Sequence, residues 1–176
     1  MCPGFREHSG GSGSLEQQAE ESLADAYAVF LALDSLIGGP QGPQVLEMLD
    51  HGATPRPEAD TTLISAVLLS AFSLFSGKSH ETLDAQSLNT RCHPPAFARV
   101  NGIIQTARVW CQRYRRSLDL WLTHGRLEEI MNAEENSRLG SEGLWVRQIE
   151  FFMSPDGAQY FERLGEQLSR MRPVGT

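Results

Sequence analysis

Between Asp60 and Lys78 the chain carries no charged residue, and ten of the thirteen residues from Leu63 to Phe75 are apolar. The segment Thr61 to Ser76, TTLISAVLLSAFSLFS, is expected to form a helix without a solvent face, N-capped by Asp60 and closed by Gly77 in the left-handed conformation. A helix of that kind belongs in the middle of a core or in a membrane. It falls short of the roughly 18 to 20 apolar residues that span a bilayer, and Ser65, Ser70, Ser73 and Ser76 interrupt it. The expectation is therefore a buried central helix at 61–76, with no membrane association.

With 176 residues the chain suits a single domain that buries a core without covalent staples. That domain is expected over 15–172, after a disordered Gly/Ser-rich tail at 1–14, MCPGFREHSGGSGS, which lacks the apolar run of a secretory signal. The three cysteines, Cys2, Cys92 and Cys111, are odd in number and widely spaced, with no CxxC pair. This pattern argues against a disulfide framework and a structural zinc site, and for free thiols in a reducing, cytoplasmic (intracellular) setting.

The net charge of −7 conceals a strong segregation. Residues 1–90 hold three basic and twelve acidic side chains, residues 91–127 hold seven arginines against Asp119 alone, and residues 128–176 hold five basic and nine acidic groups. One element thus carries a sign opposite to its surroundings.

Local signals place helices throughout. Ser14-Leu15-Glu16-Gln17 has the form of a capping box, and Ala19, Leu23, Ala26, Phe30, Leu33 and Ile37 form one apolar stripe that Gly38-Gly39-Pro40 ends. A short helix is expected from Pro43 to Asp50 with Val45, Leu46, Met48 and Leu49 buried, then a polar connector to Asp60 in which both prolines disfavour helix. His80 to Leu88 supports at best a short helix before an irregular turn over Asn89 to Pro95. Next comes a heptad seam, Phe97, Val100, Ile104, Ala107, Cys111, Tyr114, Leu118 and Trp121, widened by Ile103, Trp110 and Leu122. A break follows near Gly125, then a turn at Gly140-Ser141 and a helix with Trp145, Ile149 and Phe152 inward. Ser154-Pro155-Asp156 restarts a last helix with Phe161, Leu164, Leu168 and Met171 on its seam. No stretch alternates with period two. The expected fold class is all-α, a compact helical bundle of six or seven helices packed around 61–76.

Motifs that carry chemistry are missing: there is no phosphate-binding glycine loop, dinucleotide fingerprint, HExxH, GxSxG or EF-hand loop. Cys92-His93 is a neighbouring pair on a turn, a placement that seldom aims two side chains at each other. Glu128, Glu129, Glu134 and Glu135 lack the Glu-x-x-His partners of a di-metal bundle and are expected to form a solvated face, and His124 to cap a helix end. No catalytic residue, metal or cofactor is assigned.

The arginine-studded helix is the one candidate site, with Arg108, Arg113, Arg115 and Arg116 as the partner-binding residues. Its order, an apolar helix, then a basic heptad helix, then a Leu/Phe-rich tail, resembles the C-terminal regulatory region of fungal zinc-cluster transcription factors. The six-cysteine cluster that defines those proteins is absent, so no property of theirs is carried over. The expected function is a non-enzymatic protein-interaction or regulatory module (adaptor, inhibitor or immunity-type) presenting a basic helical face to an acidic protein partner. A nucleic-acid-associated regulator using the helix at 99–116 ranks second, because an acidic chain opposes non-specific nucleic-acid binding. An enzyme with an unrecognised pocket ranks third. Glu20, Glu21 and Asp25 of the first helix are expected to meet Arg108 and Arg115. A monomer is favoured over a homodimer, since a two-fold axis on the seam would bring arginines together.

Overall fold

The computed structural model describes residues 13–39, 44, 47–48, 56–76, 83–116 and 144–171. Among these are six α-helices and no strand, and the helices pack as an all-α bundle: α1 (Gly13–Leu33), α2 (Arg56–Ser76), α3 (Ala85–Thr90), α4 (Ala96–Tyr114), α5 (Leu144–Phe152) and α6 (Pro155–Met171). The tail before residue 13, Leu118, Trp121 and Leu122, the break near Gly125, and the turn at Gly140-Ser141 lie outside the described residues.

α1 and α4 run side by side in the same direction, since Asp25 meets Arg99 near the starts of the contact and Gly38 approaches Trp110 near its end. α2 lies antiparallel to α4, with Phe75 at Arg99 and Asp60 at Arg115. The larger core fills the space between them: Val29, Leu33 and Ile37 from α1 and the turn after it, Leu63, Ile64, Leu68, Phe72 and Phe75 from α2, and Val100, Ile103, Ala107, Trp110 and Cys111 from α4. The helix at 61–76 thus supplies five core side chains. It is not covered all round, because Ala66, Ser70, Ser73 and Leu74 are exposed. Two of the interrupting serines face solvent, and a third, Ser65, donates to the Thr61 carbonyl at 2.8 Å.

Helix ends depart from the expected chemistry. α2 begins at Arg56, with Pro57 in the first turn, where a missing N–H removes no helical bond. Asp60 is therefore not its cap but an internal, buried residue. α1 widens into a single π-helical turn, Asp34–Gly38, so that Leu33 and Ile37 both reach the core. Gly39 ends it in an extended conformation, φ −78° and ψ 169°, rather than a left-handed one. Glycine is needed there for space: a Cβ would lie 2.9 Å from the Ser35 carbonyl oxygen. Ser14 does not close the expected box with Gln17; its hydroxyl donates to the Asn89 carbonyl, tying the start of α1 to the end of α3.

A smaller core lies at the other end of the α1–α4 pair. It joins Leu15 and Ala19, Leu88 of α3, Ala98, and Phe152, Tyr160 and Leu164 of the α5–α6 hairpin. α3 is one short turn of helix with a complete capping box, in which Asp84 accepts from the Ser87 amide at 2.7 Å. That bond holds the Asp84 carboxyl below its usual pKa. Ser154 caps α6 as expected, accepting from the Gly157 amide, with Pro155 first and Asp156 in the opening turn. The Phe152 ring stacks on Phe97 with centroids 5.1 Å apart and lies 4.9 Å from the Phe161 ring, a chain of ring contacts within this core.

Four side chains expected inward, Leu23, Met48, Tyr114 and Ile149, are exposed. Ile103 and Trp110 are buried on α4, while Ile104 packs against the same core only partly buried. On α5 Gln148 is buried along with Phe152, and it accepts from the Phe97 amide at the start of α4.

Candidate interaction surface

The four arginines picked from the sequence all lie on or just beyond the second half of α4, but they do different things. Arg115 is spent on structure. Its main-chain N–H donates to the Cys111 carbonyl at 2.7 Å, its side chain donates to the Tyr114 carbonyl at 2.9 Å, and Nε stands 3.4 Å from Asp60. Asp60 is buried, so this partner neutralises a carboxylate that would otherwise be costly at the rim of the core. Arg108 is half-buried and makes contacts of its own. Arg113 and Arg116 are exposed, and the Arg113 guanidinium lies 5.4 Å from the Tyr114 ring centre. Cations in the last turn also complement the helix dipole.

The arginine that meets the acidic side of α1 is one the sequence pattern did not single out. Arg99 donates to Asp25 through Nε at 2.6 Å and through a terminal nitrogen at 2.7 Å, stands 3.4 Å from Glu21, and covers the Phe75 ring at 4.4 Å. The Asp25 bond, aided by Asp25 and Glu21 charge, holds its pKa above the already high arginine value. The expected pairing of Glu21 and Asp25 with Arg108 and Arg115 is therefore replaced by Arg99, two turns or more earlier on α4. Charge sign was legible, but register was not, since it depends on how two helices slide.

Cys92 and His93 do not form a dyad. His93 Nδ1 contacts Glu21, and Cys92 is disulfide-bonded, whereas Cys111 is a buried thiol in no disulfide. The expectation of free thiols fails at Cys92, and with it goes the thiol argument for a reducing compartment. His124 and Glu128 to Glu135 also lie outside the described residues. Among the described residues, no group of three or more His, Cys, Asp or Glu side chains could hold a metal ion, and no helix is long and apolar enough to cross a membrane.

A second set that sequence reading missed is polar and buried. Gln18 donates to the carbonyls of Leu88 and Arg91 at 2.9 Å each, and its oxygen accepts from the Tyr160 hydroxyl at 2.8 Å. Nothing in the run Glu16-Gln17-Gln18-Ala19-Glu20 marks Gln18 as the clamp joining α1, the turn after α3, and α6. No known protein family, curated protein or solved structure matches this chain, so a functional reading rests on this geometry.

Proposed function

We propose that the protein is a non-catalytic interaction module that presents the basic end of α4 to an acidic protein partner. What supports this reading is the composition of one face. Val109, 60% exposed, and Arg113 are four residues apart on the same side of α4, Tyr114 is partly exposed beside them, and Arg116 follows. Tyrosine and arginine are the side chains enriched among the residues that dominate interface energetics, and here they stand beside an exposed apolar side chain. Arg108 and Arg115 act from behind it, the latter locking the helix end to Asp60.

The test is affinity capture from lysate with and without nuclease, using the wild type and an Arg113→Glu/Arg116→Glu variant. A protein partner retained after nuclease and lost on charge reversal is expected. Loss of every partner on nuclease treatment would favour a nucleic-acid regulator using 99–116. A metabolite or metal copurifying with the protein would favour an enzyme.

A further inference from the structure

The outward face of α1 has a pattern of its own. At about 100° per residue, Glu16, Glu20, Leu23 and Leu31 lie within roughly 40° of Tyr27 around the helix, with Asp34 following in the π turn. Leu23, Tyr27 and Leu31 are 45%, 64% and 47% exposed, although the same helix buries Ala19, Leu33 and Ile37 on its other side. The result is a ridge of three large apolar side chains, one per turn, with carboxylates before and after it. No lysine, arginine or histidine occurs in the 21 residues of α1. The two other acidic groups of the helix, Glu21 and Asp25, point to the flank and are engaged by His93 and Arg99. Hence the charge left on the outer face is wholly negative.

We infer that this face docks an amphipathic helix of a partner protein that is apolar at its centre and cationic at both ends. Anchors spaced one turn apart along a straight ridge are complemented by a second helix laid beside it, whose own side chains recur at three and four residues. From Glu16 to Asp34 the ridge extends about 27 Å at ~1.5 Å per residue, so the basic groups of the partner helix lie some four or five turns apart. Membrane lipid is the wrong ligand, because an anionic leaflet repels both ends of the ridge. Nucleic acid is excluded by the same sign. This face is separate from the basic end of α4, and its partner is opposite in charge to the one proposed there.

The probe is a synthetic helical peptide of about 20 residues, with leucines along one face and two lysines at each end. Its affinity for the full chain is read by fluorescence anisotropy at low and physiological salt. Micromolar binding is expected, weakened at least tenfold by Tyr27→Ser/Leu31→Ser. Leu74→Ser, on the exposed side of α2, should leave it unchanged. Glu16→Lys/Glu20→Lys should abolish binding of the lysine peptide and confer binding of the same peptide with glutamates at its N- or C-terminal end. Equal loss with Leu74→Ser, or no rescue by the charge swap, would overturn the proposal as mere attraction to an acidic protein. Failure of the peptide to bind would overturn it too, and light scattering would then show whether a second copy holds the face or the chain covers it itself. The α4 variant Arg113→Glu/Arg116→Glu should bind the peptide as the wild type does, so failure of either surface proposal is visible without the other.

Discussion

The larger core, where α2 lies along the later half of α1 and nearly the whole of α4, is closed by apolar side chains, with ion pairs at its two ends, Arg99–Asp25 and Arg115–Asp60. The smaller core, where α3 and the α5–α6 hairpin meet the earlier half of α1 and the first turn of α4, is rich in ring–ring contacts and holds two buried amides, Gln18 and Gln148. The difference follows helix length. α1, α2 and α4 have 21, 21 and 19 residues, and each buries enough apolar area to hold its place by packing. α3 has six residues and α5 nine, too few to be positioned by area alone. Directional bonds take over there: Gln18 fixes two carbonyls around α3, and Gln148 fixes the first turn of α4 against α5.

The sharpest way to break this comparison is a charge in the apolar core. Leu68 is buried in it on α2, with no cationic side chain in its cluster to pair a carboxylate. Leu68→Asp should cost several kcal/mol, enough to unfold a domain of ordinary stability. Because α1 and α4 serve both cores, the smaller one should melt with it in a single transition. A soluble variant with cooperative melting by circular dichroism would sink the claim that α2 is essential to the bundle.

How much of this could be seen beforehand depends on the range of the interaction. The start of α6 was legible because Ser154, Pro155 and Asp156 act on the backbone within one turn of themselves. The all-α class was legible because periodicity is a local property. Which of two adjacent apolar residues faces inward was not: Ile103 and Ile104, or Leu23 and its neighbours, differ by one step that only the partner helix decides. The candidate site divides in the same way. Arg113 and Arg116 are exposed, as their absence from the heptad seam over 97–121 lets periodicity foretell. The assignment of Asp60 to Arg115, and of Asp25 to Arg99, rests on contacts across 55 and 74 residues of sequence that no local rule reaches.

A gentler perturbation addresses the smaller core alone. A Cβ on Gly157 would fall 2.4 Å from the Phe152 Cα and 2.5 Å from the Phe151 carbonyl oxygen, both backbone atoms that cannot swing aside. Gly157→Ala should therefore force α5 and α6 apart and cost about 3 kcal/mol, at the upper end of overpacking penalties. Hydrogen exchange should quicken in α6 more than in α2, which contributes no side chain to the hairpin core. Wild-type stability in a urea titration, or equal acceleration in both helices, would show that the two cores are not distinct in the way their composition suggests.

The smallest effect tests the directional bonds themselves, and pH isolates it. Burial pushes the Tyr160 phenol well above its ordinary value of 10, with Arg91 opposing only in part. In the folded state the hydroxyl stays protonated and donates to Gln18; in the unfolded chain it ionises near pH 10. Since the folded pKa is the raised one, the stabilisation is complete below about pH 10 and declines as pH rises above it, by up to ~1.4 kcal/mol per pH unit. Tyr160→Phe removes the hydroxyl and strands the Gln18 oxygen, so it should cost about 1 to 2 kcal/mol at pH 7. The same substitution should flatten the decline between pH 9.5 and 11 (roughly the span the linkage sets), because the buried group that titrates there is gone. Urea unfolding of both proteins at pH 7, 9.5 and 11 measures the two effects separately. An alkaline decline of undiminished slope in the Phe variant would mean that Tyr160 is not what couples this core to pH, and that packing of the aromatic cluster, not the Gln18 clamp, holds α6 in place.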